Sequence, residues 1–490
     1  MKMKQIIGAV IGLIVAGPQS AYSGTSYTVV DTGQIYCYNS SQGGSYPGKG
    51  SDYFGQDASY IGNQPAYSDN GDGTVSDDIT GLMWQKSPGS KMTLSEAIKA
   101  ARKCKTGGYK DWRIPTIKEL YSLILFTGTD PDPMASNTSQ LIPFIDSVFD
   151  FEYGNPRNGE RIIDSQYGSS TKYVSTTMNG DPTLFGVNFA DGRIKGYGLS
   201  SPRTGQAKKF FFMFVRGNKD YGKNKFKDNK DGTISDHATG LTWMKVDSGK
   251  LKVGHFKDGK MNWQQALEWS ENLEYAGQRD WRLPNVKELQ SLVDYKRSPK
   301  TTRSAAINPM FKISKITDER GKSNYPFYWT SSTHVSTRGG SAADYICFGE
   351  ALGWMKDRRT GKYTLMDVHG AGSQRSDPKS GDPADYPHGH GPQGDVIRIG
   401  NMVMCVRGGV ADVSTSGPKP IQRSKRQTKY SNQQAPQANG FIGRLDKDGG
   451  GKVSKSEFDG PQNHFGKLDR DGDGYLSNNE APTGPPPRRR

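Results

Sequence analysis

The chain has little of what usually organises a protein of this length. Only 33% of its 490 residues are hydrophobic, and cysteine occurs just four times. The longest apolar run is residues 6–17, short of the roughly 20 residues a membrane-spanning helix needs. Low apolar content together with 61 glycines argues for turn-rich, irregular chain over long helices. The length exceeds what one hydrophobic core organises, so two or three domains are expected. The cysteine spacing fits no zinc pattern. No Ser-His-Asp signature and no paired-carboxylate site stands out, which leaves catalysis without a local sequence signal.

The first residues do carry a signal. Two lysines, the apolar run 6–17 and then small residues read as a cleavable export leader over 1–23, with Ala21 and Ser23 before the cut. In an oxidising compartment Cys37, Cys104, Cys347 and Cys405 form two disulfides, and four cysteines allow three pairings. The net charge of +15 fits either an acidic partner, such as a sulfated or carboxylated polysaccharide or an anionic membrane surface, or simple solubility. Export disfavours nucleic acid, and after cleavage nothing spans a membrane.

Internal repetition sets the plan. "DNGDGTVSDDITGLMW" at 69–84 aligns with "DNKDGTISDHATGLTW" at 228–243, and "DWRIPTIKELYSLI" at 111–124 with "DWRLPNVKELQSLV" at 280–293. The copies close alike, on "FFMFVRG" at 211–217 and "MVMCVRG" at 402–408. A lead-in at 24–63 is expected before copies at 64–217 and 223–409. Thr93 with Glu96 and Asn262 with Gln265 have capping-box spacing, as do Thr116 with Glu119 and Asn285 with Glu288, so two helices are expected per copy. Leu94, Ala97, Ile98 and Ala101 share a face of the first helix, and Gly277 is placed to stop its counterpart. The rest reads as short antiparallel strands, which makes each domain α+β. A basic Ser/Pro/Gln-rich linker at 410–440, a small module at 441–482 and a Pro/Arg tail at 483–490 follow.

Four Asp/Gly clusters invite a calcium reading, and position decides between them. From Asp469 the loop supplies Asp471, Asp473, the Tyr475 carbonyl, Ser477 and Glu480 at positions 3, 5, 7, 9 and 12, with Gly474 at 6. From Asp446 it supplies Asp448, the Lys452 carbonyl, Ser454 and Glu457, but Gly450 at position 5 has no side-chain ligand. Val453 and Leu476, at position 8 of each loop, are placed to pair, so an α-helical EF-hand pair holding Ca2+ is expected. The clusters at 69–77 and 228–236 lack the closing carboxylate, whether Asp69 is set at position 1 or Gly73 at position 6, and read as hairpin turns.

The Asp-Gly-Thr at 72–74 and 231–233, Thr-Gly-Leu-x-Trp at 80–84 and 239–243, Trp-Arg-x-Pro-x-x-x-Glu-Leu at 112–120 and 281–289, and Val-Arg-Gly at 215–217 and 406–408 together resemble the Lcl C-terminal domain family. The resemblance covers both copies and implies exported bacterial modules for surface adhesion and polysaccharide binding. Their helix start is similar to that of C-type-lectin-like and formylglycine-generating folds. It therefore implies two tandem C-type-lectin-like α+β domains. Against that pattern, "YVSTT" at 173–177 stands where copy two has "YWTSST", Phe214 where it has Cys405, and Cys104 where it has Leu273. These departures favour the pairs Cys347–Cys405 and Cys37–Cys104. Copy two also carries a long insert at 366–401, whose His369, Arg375, Asp377, His388, His390, Asp395 and Arg398 could hold an anionic sugar or a metal, or pair among themselves. Arg113 and Arg282 are expected to fix their helix starts, and Trp84, Trp112, Trp243 and Trp281 to sit in the core.

The function expected is an exported calcium-binding protein, secreted, periplasmic or on the cell surface. Its lectin-like domains would bind acidic polysaccharide, a surface glycan or a protein partner. The rivals are an enzyme on a formylglycine-generating-like fold and a structural envelope component.

Overall fold

The computed structural model describes residues 25–412, apart from 41, 42, 45, 202, 203, 253–257 and 358, and then 445, 453–460, 462–469 and 474–476. The expected leader, nearly all of the linker and the Pro/Arg tail lie outside the described residues. No helix among the described residues is long and apolar enough to cross a membrane.

Each copy opens on a four-stranded antiparallel sheet. In copy one the order is Val215–Gly217, Leu82–Gln85, Thr74–Asp77, Tyr67–Asp69, and in copy two it is Val406–Arg407, Leu241–Met244, Thr233–Asp236, Phe226–Asp228. The Asp/Gly clusters form the first hairpin turns, as expected. Asp69 Oδ1 accepts the Gly71 N–H and Asp72 Oδ1 the Thr74 N–H, while Asp228 and Asp231 do the same for Lys230 and Thr233. Gly71 turns at φ 76°, and Lys230 holds the same position in copy two at φ 67° under the same aspartate cap, so the turn does not require glycine.

All four expected capping boxes form, on helices Leu94–Lys103, Ile117–Ser122, Trp263–Glu271 and Val286–Ser291. Two details differ from expectation. Ile98 is 41% exposed, so Ala97 and Ala101 alone carry the buried face, and the copy-two helix ends at Glu271, well before Gly277. The helices are short and few, and the fold is two tandem, mainly β domains instead of a balanced α+β arrangement. Arg113 clamps Glu119 with bonds of 2.7 and 2.5 Å, and Arg282 clamps Glu288 with bonds of 2.7 and 2.6 Å. Trp84, Trp112, Trp243 and Trp281 are all buried.

The copies share one six-stranded sheet. Its order is Phe327–Ser336, Gly339–Cys347, Gln374–Pro378, Arg193–Gly198, Asp181–Asn188, Gln166–Thr177, so each copy gives three strands and the two sets meet about a pseudo-twofold axis. The join is one backbone pair, Gln374 with Ile194. "YVSTT" is not the counterpart of "YWTSST". Ser170 N and Ser331 N both donate to the proline before the second helix, and Thr171 Oγ1 and Ser332 Oγ both accept that helix's first N–H. "YGSST" at 167–171 is therefore the counterpart of "YWTSS" at 328–332, and Trp329 stands where copy one has Gly168.

The second helices of the two copies meet across the axis. Lys118 Nζ donates to the Ser291 carbonyl at 2.6 Å, and Lys287 Nζ to the Ser122 carbonyl at 2.9 Å, so each lysine serves the helix end of the other copy. Burial pulls these ammonium groups down, to about 8 for Lys118 and about 7 for Lys287. The N-terminal lead-in docks mainly on copy two. Gln34 Oε1 accepts the Thr333 N–H, Asp57 accepts the Ser332 hydroxyl, and Tyr60–Ile61 pairs with Ala411–Asp412.

Candidate functional site

The residues picked from the insert do not form one site. His369, Arg375 and Asp395 come together, buried at the seam between the copies. His369 Nε2 lies 2.9 Å from Asp395 Oδ1, and Arg375 bonds the other carboxylate oxygen. Lys195 and Asp191 of copy one pair nearby. Burial, then the charges of Arg375 and Lys195, hold His369 well below its ordinary value, which leaves it a neutral imidazole. Asp377 is buried and accepts the Arg398 and Ile399 N–H groups and the Asn401 amide; burial pushes its carboxyl up to about 6. His388 is exposed and stacks on Tyr363 at 3.8 Å, while His390 exchanges backbone hydrogen bonds with Asp395. Most of these groups are thus spent on holding the insert in place.

Arg398 alone of the set lines the large cleft of copy two, a volume of about 730 Å³. Ile316, Thr317 and Glu319 form one side of its wall, and three further stretches build the rest. The hairpin of Leu352–Lys356 and Tyr363–Asp367, which has no equivalent among the described residues of copy one, brings Trp354; the loop from 381 to 400 brings Tyr386 and Ile397; the start of helix Trp263–Glu271 brings Asn262 and Gln265. Both cations of the lining are neutralised. Lys260 pairs with Asp258 at 2.8 Å, and Arg398 grips Glu319 through two bonds of 2.8 and 3.0 Å while its guanidinium lies 3.9 Å over the Phe327 ring. The sequence reading missed this cleft because its parts are distant along the chain. The available signals were Trp354 in a stretch without a copy-one counterpart and an Asn/Gln capping box where copy one has Thr/Glu.

Of the expected calcium ligands, Asp446, Asp448, Lys452, Asp471, Asp473, Ser477 and Glu480 lie outside the described residues. Among those described, Asp469 Oδ2 accepts the Gly474 N–H, Glu457 accepts from the Ser454 N–H and hydroxyl, and Tyr475 lies in strand Tyr475–Leu476. That strand pairs antiparallel with Val453–Ser454, and Val453 opposes Leu476, the register expected of the two eighth positions. No cluster of three or more potential metal-ligating side chains occurs among the described residues.

The two disulfides are not formed, since all four cysteines are free. Cys405 donates to Ser270 Oγ and Cys347 to the Gly349 carbonyl, while Cys104 caps a helix and accepts the Gln85 amide. Cys405 occupies the core position of Phe214, so it works there as a small apolar residue and not as half of a crosslink. Burial pushes the Cys37, Cys347 and Cys405 thiols up to about 12.

Two stretches, 73–216 and 232–367, match the Lcl C-terminal domain. The second ends before the 381–400 loop that walls the cleft. No curated protein and no solved structure matches the chain. The two matched stretches cover more than half of the sequence, and the chain therefore belongs to the Lcl C-terminal domain family.

Proposed function

We propose that this is an exported calcium-binding protein, placed in the periplasm, at the cell surface or outside the cell, whose tandem lectin-like domains attach it to polysaccharide. The observation that carries the calcium half is the Val453–Leu476 register, because a paired eighth position is what two calcium hands share when they fold together. The twelve-residue spacing from Asp469 to Glu480 supports it, with Asp471, Asp473, Tyr475 and Ser477 between them as ligands. The loop from Asp446 to Glu457 binds more weakly, since Gly450 offers no side chain. The net charge of +15 supports an acidic glycan as one partner.

Free cysteines bear on the enzyme alternative. A nucleophilic cysteine needs a lowered pKa, and burial moves Cys37, Cys347 and Cys405 the other way. Calorimetry of the full chain tests the metal: titration with calcium gives a tighter and a weaker event, and Asp469→Ala removes the tighter one. An unchanged titration overturns the calcium assignment. A glycan array run with and without calcium tests adhesion, and the absence of binding to any polysaccharide overturns it.

A further inference from the structure

We infer that the copy-two cleft is a binding site for an uncharged sugar segment of a polysaccharide, distinct from whatever acidic glycan the protein's positive surface attracts. This rests on the polysaccharide-binding reading and specifies where, and which chemistry, one of its contacts takes.

Three features of the lining point the same way. First, its charges are already matched. An anionic ligand reaching Arg398 has to compete with the two bonds of Glu319, while the exposed Lys260 already has Asp258 beside it. A neutral ligand leaves both pairs intact. Second, Asn262 and Gln265 have their amide oxygens committed, each accepting the other's backbone N–H at 2.9 and 3.0 Å. Their NH2 groups have no partner among the described residues, so the capping box holds two oriented donors at the cleft, the kind of group that meets a hydroxyl. Third, the half-buried rings of Trp354 and Tyr386, with Val396 and Ile397, give the apolar faces against which the C–H side of a sugar ring packs. The volume of about 730 Å³ lies within the range of sites that enclose a ligand.

Copy one supplies a control within the same chain. Its matching box is Thr93 with Glu96, whose carboxylate replaces the Gln265 amide, and among its described residues there is no equivalent of the hairpin that brings Trp354. The substitution Gln265→Glu therefore keeps the capping box, as copy one does natively, while exchanging a donor for a negative acceptor.

The test uses the full, calcium-loaded chain on immobilised glucan and mannan oligosaccharides beside heparin and alginate, in low salt and in about 0.5 M NaCl, where the screening length falls to a few ångströms. Binding to a neutral oligosaccharide is expected to survive the salt, and to fall by about tenfold or more in Trp354→Ala and in Gln265→Glu, with the melting temperature of Gln265→Glu unchanged. Binding to heparin or alginate is expected to fall with salt and to be the same in Trp354→Ala. Binding to acidic glycans only, or neutral binding that Gln265→Glu leaves untouched, overturns the cleft assignment while the adhesion reading stands. No binding to either class overturns the adhesion reading together with it.

Discussion

Arg113 and Arg282 do the same work in two different settings. Each clamps the carboxylate six residues on that also caps the following helix, yet the Arg113 side chain is 28% exposed and that of Arg282 only 4%. Part of the difference comes from outside the repeat. Tyr60 of the lead-in sits over Arg282 at 5.4 Å, and Gly408 adds a carbonyl contact at 2.9 Å. One sequence motif thus yields, over equally buried carboxylates, a partly open arginine in copy one and a sealed one in copy two, and the lead-in contributes to the distinction.

The largest effect should separate those two arginines. Arg282→Met strands the buried Glu288 carboxylate and is expected to destabilise by about 3–5 kcal/mol, while Arg113→Met strands the equally buried Glu119 beside a side chain that water reaches, and is expected to cost less, about 2–3 kcal/mol. Urea titrations of the two variants measure this, and equal losses would remove the lead-in's sealing role.

A second, smaller contrast lies in the shared sheet. Trp329 is buried in the core of copy two, where Val403 holds the sequence position of Phe212, whereas in copy one Gly168 faces Phe212, and a Cβ at Gly168 would lie 2.6 Å from that ring. Bulk has moved from one strand to its neighbour. Gly168→Ala is expected to cost about 1–3 kcal/mol through overpacking. Adding Phe212→Val, the copy-two residue, should make the pair cheaper than the sum of the singles by about 1 kcal/mol. Strict additivity in a double-mutant cycle would show that the two positions do not share space.

A third effect is one of pH. Burial, then the charge of Asp31, pushes the Asp57 carboxyl up to about 8, against hydrogen bonds from Ser332 and Thr32. An acid whose folded value is raised favours the folded state at low pH, and that contribution fades as pH rises through the window between its unfolded value and about 8. Lys287 beside it has the opposite slope, because a base with a lowered folded value gains stability as pH rises above about 7. Between pH 5 and 7 the acid dominates, so the melting temperature should fall with pH, and Asp57→Asn should flatten that fall. A parallel decline in both proteins would place the slope elsewhere.

What could be read from sequence was what acts over a few residues. The Asp69 and Asp228 turns, the four capping boxes and both Arg–Glu clamps are fixed by contacts two to six positions apart, and each formed. The seam failed that test. Gln374 meets Ile194 across 180 residues, and no local pattern announces a strand shared between repeats. The strand match slipped because the Trp329 position holds glycine in copy one, which hid the true counterpart behind the nearby Tyr173. The cysteines misled for another reason: sparse residues in a chain that reads as exported suggest crosslinks, but Cys405 is packed as Phe214 is. The insert's charges were correctly noticed, yet charge alone could not tell the buried pair Arg375–Asp395 from Arg398 at the cleft.

The exchanged lysines carry a practical consequence. Because Lys118 ends on Ser291 and Lys287 on Ser122, a truncation placed between the repeats removes, from each half, the carbonyl that its own buried ammonium needs. Either fragment would expose a face built for the other. The stretch near 220, which looks on paper like a convenient place to cut, is therefore the wrong site for dissecting this protein, and experiments on it belong on the joined pair.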